Sequence, residues 1–143
     1  MQSFIQTDAP ISKSIYNVSL HTDIGSLICL YETTGGTLTQ HSLDDFFADV
    51  RRADSIANVA MGKYIVIYNM TQPVDGVLPF LFQVVNKFYK TLTPTKTIII
   101  CASDHPLRGV VNFVAKCLGR PHLVVNTSAE GWAHVQYVLR KTK

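Results

Sequence analysis

From Tyr64 onward the chain alternates between two kinds of apolar text, and this alternation constrains its fold more than any other feature. The stretches "YIVIYNM" (64–70), "KTIIICAS" (96–103) and "HLVVNTS" (122–128) are near-continuous runs of β-branched residues. After each comes a longer segment with helical spacing: "VLPFLFQVVNKFYKTL", "PLRGVVNFVAKCLG" and "AEGWAHVQYVLRKT". Strands read as unbroken apolar runs when both faces of their sheet are covered, which is the habit of parallel sheets. The order βαβαβα then requires crossovers of one hand. Parallel strands are expected near 64–70, 97–102 and 122–126.

The N-terminal part follows another rule. Two β-type runs, 15–20 and 26–31, are separated only by "HTDIG". That loop is too short for a parallel crossover, so an antiparallel hairpin is expected near 15–31. Residues 1–13 read as a loose arm. The segment "HSLDDFFADVRRADSIA" reads as a helix, with Ser42 as N-cap and Asp44 and Asp45 in the first turn. Leu43, Phe46, Phe47 and Val50 give it one apolar face. Pro79 is tolerable if its helix starts near Val77 or Leu78, because proline needs no amide partner in the first turn. Pro106 is expected as a first helical residue, and Gly119 followed by Pro121 as a helix end. The fold class is therefore α/β, a mixed sheet with an N-terminal hairpin followed by parallel βαβαβα units.

Composition narrows the function classes. The chain of 143 residues suits one domain. It is 47% hydrophobic and 16% charged, which excludes a disordered protein and a nucleic-acid-binding tail. The net charge of +3 owes three charges to the closing "LRKTK", where cations suit a helix C-terminus. No run reaches the roughly 20 apolar residues of a membrane helix, so no transmembrane segment is expected. The N-terminus lacks the pattern of a signal peptide. Cys29, Cys101 and Cys117 are scattered and flanked by apolar residues, which points to reduced core thiols in a cytoplasmic protein. Cys117 is expected on a helix packing face. Trp132, spaced with Val135 and Leu139, is expected in the core.

Motifs with a mechanism are missing. There is no P-loop, no dinucleotide fingerprint and no nucleophile elbow. The five histidines form no ligand cluster, so neither a metal nor a cofactor is expected. Function then falls to the loops that leave the strand carboxyl ends: "NMTQPVDG", "CASDHPLRG" and "VNTSAEG". Each leads toward a helix N-terminus, where free amides favour an anion. Ser103, Asp104, His105, Arg108, Thr127 and Ser128 are the candidates for such a ligand or anion site. Capping accounts equally for Ser103 or Asp104 before one helix and for Thr127 or Ser128 before the next. Asp104, His105 and Arg108 are also the residues on which an enzyme reading would rest.

The second half, with its "TIIICAS", "GVVNFVAKCLG", "HLVVNTS" and "TSAEGWAHV", resembles the STAS domain family. That is the fold of bacterial anti-sigma-factor antagonists and of the cytoplasmic domains of sulfate transporters. The family's signature loop carries a serine before a glycine, and in the antagonists a partner kinase phosphorylates it. The matching loop here is "TQPVDG", where Asp75 precedes Gly76 and no serine is present. The resemblance implies an interaction loop at Thr71, Gln72, Asp75 and Gly76, with a fixed charge in place of a switched one.

The expectation is a non-enzymatic regulatory or protein-interaction module with a protein partner. Phe80, Leu81, Phe82, Phe88 and Tyr89 suggest a partner patch or a homodimer. The alternative is a small-molecule or lipid-binding module that uses the loops at the strand ends. The weaker alternative is an enzyme.

Overall fold

In the computed structural model, which describes residues 6–7, 11–12, 15–23, 26–60, 63–70, 72–91, 96–118 and 122–140, the β-branched runs become strands of one mixed sheet. The strands are β1 (Gln6–Thr7), β2 (Ile11–Ser12), β3 (Tyr16–Asp23), β4 (Ser26–Thr33), β5 (Lys63–Asn69), β6 (Lys96–Ile100) and β7 (His122–Val125). Spatial order is β3-β4-β5-β6-β7, with β1 and β2 both paired to the outer edge of β3. β3 and β4 form the expected antiparallel hairpin, and β4 through β7 are parallel. Helices α1 (Gln40–Ala60), α2 (Leu81–Thr91) and α3 (Arg108–Leu118) connect the parallel strands, and α4 (Ser128–Arg140) follows β7.

The order β4-β5-β6-β7 advances one place at each crossover. Crossovers of one hand that always advance put their helices on the same face. So α1, α2 and α3 cover one side, where Leu43, Phe47 and Val50 meet Val18, Cys29, Tyr31, Tyr64 and Val66. α4 packs on the other, where Trp132, Val135, Val138 and Leu139 meet Ile28, Ile65, Ile67, Ile98 and Ile100. Alternate residues of β4, β5 and β6 serve the two cores, which is why these strands are apolar at nearly every position. α4 lies close to β6: a Cβ on Gly131 would stand 2.8 Å from Ile100 Cδ1. The parallel strands have no point where their order reverses, so they lack the crevice that such a point opens in doubly wound sheets.

Several local expectations are corrected. The segment expected to be a loose arm supplies β1 and β2. α1 starts at Gln40, and its cap is Thr39 rather than Ser42: Thr39 Oγ1 accepts the Ser42 amide at 3.1 Å. Asp44 and Asp45 consequently fall beyond the first turn. α3 starts at Arg108, with Pro106 in the preceding turn. Cys117 is exposed, whereas Cys29 and Cys101 are buried. Pro79 sits in a short 3-10 turn, Leu78–Phe80, that runs into α2. Trp132 is partly buried against the α4 core and edge-on to His21. Gly119 and Pro121 lie outside the described residues. Among the described residues no helix is long and apolar enough to cross a membrane.

Candidate functional site: a cavity beneath the strand ends

The loops after β4 and β5 are joined edge to edge. Thr33 Oγ1 donates to the Gln72 carbonyl at 2.7 Å and accepts the Gln72 amide at 3.1 Å. Further along, the Leu38 amide donates to the Asp75 carbonyl and the Asp75 amide to the Gly36 carbonyl, both at 2.8 Å. Thr37 and Asp75 thus form a parallel bridge. Gly76 then turns the chain at φ +74°, with Thr37 Cγ2 only 3.3 Å from where a Cβ would be. Asp75 is exposed, and no side chain caps the turn that follows it. Within the expected interaction loop, Gln72 is therefore held by the Thr33 hydroxyl, Asp75 by main-chain pairing and Gly76 by its turn; Thr71 lies outside the described residues.

The loops after β6 and β7 use their polar residues on themselves. His105 Nδ1 accepts the Leu107 amide at 3.0 Å, so the imidazole stands where a Ser or Asp cap was expected. Its Nε2 is buried with no hydrogen-bond partner among the described residues. Arg108 Nη1 donates to the Cys101 carbonyl and, at 2.9 Å, to Asn126 Oδ1, tying the ends of β6 and β7 together. Thr127 Oγ1 accepts the Glu130 amide at 3.2 Å, capping α4, and donates to the Glu130 carboxylate. Ser103 and Asp104 are exposed, and Ser128 is the first residue of α4. The structure brings Arg108 to Asn126; it does not gather Ser103, Asp104, His105, Arg108, Thr127 and Ser128 around one point.

Beneath these loops, between the sheet and the three-helix layer, lies a cavity of about 210 Å³. Its floor is formed by the carboxyl ends of β4, β5 and β6, including Tyr31, Tyr68 and Ile99. Leu43 and Phe46 of α1, Leu81 and Val84 of α2 and Val111 and Val114 of α3 form its walls. Leu38, Val74, Val77 and Leu107 come from the loops.

Comparison with protein-family models, with curated proteins and with solved structures gives no match. The cavity's chemistry therefore has to be read from its own walls.

Of the polar side chains around it, Tyr16, Thr33 and Asn69 direct their polar atoms to partners elsewhere. Tyr16 donates to Asp49 Oδ2 at 2.5 Å, and Asp49 also accepts from Arg52 at 3.0 Å. Thr33 is held by Gln72, and Asn69 Nδ2 donates to Glu32 at 3.4 Å. The Tyr31 and Tyr68 hydroxyls are buried. Their rings stack with centroids 5.4 Å apart, and Phe46 meets Tyr31 edge-on. What faces the space is carbon. Burial pushes the Cys29 thiol up to about 12 and holds the Tyr31 and Tyr68 phenols far above their ordinary range, so all three stay neutral. Burial and then the Asp49 hydrogen bond do the same for Tyr16. Among the described residues no cluster of histidine, cysteine and carboxylate side chains could hold a metal ion.

Sequence reading placed the ligand among polar loop residues and missed the cavity under them. Residues that line a hole and residues that fill one are the same residue types, and no spacing separates them.

Proposed function

We propose that this chain is a non-enzymatic binding module that takes an apolar small molecule or alkyl chain between its sheet and its three-helix layer. The observation that carries the reading is a cavity of about 210 Å³ whose polar neighbours Tyr16, Thr33 and Asn69 direct their hydrogen-bonding atoms to partners elsewhere. The space opens toward solvent, and covering its carbon walls with a bound apolar group is favourable roughly in proportion to the area removed from water.

The test is calorimetric titration with a series of straight-chain alkanols. Saturable binding is expected, with a negative heat-capacity change and an affinity rising about fourfold per methylene until the cavity is full. Val84→Trp, which fills the space from α2, should abolish it. Absence of saturable binding across the series would end the proposal.

A second reading, a STAS-like protein-interaction module, is favoured by one observation. Leu78 and Phe82 stand 67% and 83% exposed, four residues apart. Phe80, Val84 and Val85, by contrast, pack on the core. The side chains of Phe88 and Tyr89 lie outside the described residues. Scattering measurements of mass decide whether two copies meet there: Phe82→Ser should dissociate a dimer that forms through this face.

A further inference from the structure

Beside the cavity is a groove of about 290 Å³, lined in large part by residues 73–79. Val74, Val77 and Leu107 line both spaces, so these three side chains stand between groove and cavity. The two spaces differ in chemistry. The first space presents carbon throughout, while the groove, itself mostly apolar, is bordered by Asp75, exposed and the one charged residue among those lining it. An alkyl chain in the cavity that ends at Val77 and Leu107 would leave its terminus beside the Asp75 carboxylate.

From this juxtaposition we infer that the ligand is a single-chain amphiphile with a cationic head, its chain in the cavity and its head in the groove against Asp75. The inference rests on the cavity-binding reading and adds the class of head group. It also gives Asp75 a role that its backbone pairing leaves unused. Val77, at the start of the 3-10 turn, makes no side-chain cap, and the position of Asp75 before Gly76 is fixed by two main-chain hydrogen bonds at 2.8 Å. A preorganised charge of this kind discriminates between head groups without any rearrangement of the loop.

The experiment compares three probes of equal chain length below their micelle concentrations: an alkyltrimethylammonium, an alkyl carboxylate and an alkanol. At low salt the wild-type protein should bind the ammonium about fivefold more tightly than the alkanol, and the carboxylate about fivefold more weakly. That is the effect of one charge pair about 4 Å apart in water. The preference should shrink as salt is added. Asp75→Asn should remove the difference between ammonium and carboxylate, and Asp75→Lys should invert it. Both variants should melt near the wild-type temperature, because the side chain is exposed. Alkanol binding with no head-group preference, or a preference that survives Asp75→Asn, overturns the inference and leaves the cavity reading standing. Failure of all three probes to bind removes both.

Discussion

Thr33 and Gln72, 39 residues apart, clasp each other at the ends of β4 and β5, the threonine hydroxyl donating to the glutamine carbonyl and accepting its amide. One hydroxyl thus satisfies both main-chain groups of a residue just beyond the reach of the sheet's ladder. The clasp holds the start of the loop that carries Val74 and Val77 over the cavity. Thr33→Val keeps the shape and removes both bonds. The expected loss is about 1 kcal/mol of stability. Hydrogen exchange at the Gln72 amide should accelerate, while amides in the centre of β5 keep their protection. Unchanged exchange at Gln72 would show that the loop is held by other contacts.

Gly76 tests the next point along the same loop. Its φ of +74° is left-handed, and a Cβ there would approach Thr37 Cγ2 to 3.3 Å. Gly76→Ala should therefore destabilise by about 1–2 kcal/mol, read as a lower denaturant midpoint at unchanged slope. A neutral result would mean that the loop can adopt a second path.

How much of this was legible in the sequence depends on the kind of signal. The strands at 63–69, 96–100 and 122–125 were legible because burial on both faces leaves an unbroken β-branched run. The hairpin was legible because five residues cannot make a crossover. The cap on α1 was misplaced by three residues, since Thr39 and Ser42 are both hydroxyl residues and only geometry shows which accepts the other's amide. Ser103 and Asp104 offer ordinary caps before α3, and an imidazole is not a usual cap, so the role of His105 was not legible. Cys117 falls at a spacing that suits a packing face, but α3 turns it to solvent. The cavity was hidden for a different reason. Its lining comes from four strands, three helices and three loops, and each residue there has an adequate explanation as core.

The buried phenols and thiols give an alkaline limit to stability with a definite sign. Cys29, Tyr16, Tyr31, Tyr64 and Tyr68 all have folded values raised above the ordinary 9.0 or 10.0, with burial the largest cause in each. Above pH 9 to 10 the unfolded chain releases these protons while the folded chain keeps them. The unfolded state then binds fewer protons, so stability falls as pH rises. Each group that ionises only on unfolding adds a slope of about 1.4 kcal/mol per pH unit. Denaturant midpoints should be level from pH 7 to 8.5 and fall steeply between pH 9.5 and 11. Tyr31→Phe should cost little at pH 7, because among the described residues the buried hydroxyl has no partner beyond the Cys29 thiol, and should flatten the alkaline fall. A Tyr31→Phe protein with the wild-type slope would mean that Tyr31 ionises in the folded state.

The cavity sets stability against binding, and Ala115 separates the two. Ala115 lines the space from α3, within a helix in which leucine is nearly as favourable as alanine. Ala115→Leu adds three carbons where the wall now faces a void, so the new side chain gains contacts without displacing any packed neighbour. Filling a cavity in this way commonly stabilises by about 0.5–2 kcal/mol. In the absence of ligand the variant should melt several degrees higher than wild type. It should also bind alkanols more weakly, with the loss largest for the longest chains, because the volume it takes is volume they need. The opposite pairing, a lower melting temperature with alkanol affinity unchanged, would mean that the space beside Ala115 is already filled in solution by rearranged side chains, and that the ligand, if any, binds elsewhere.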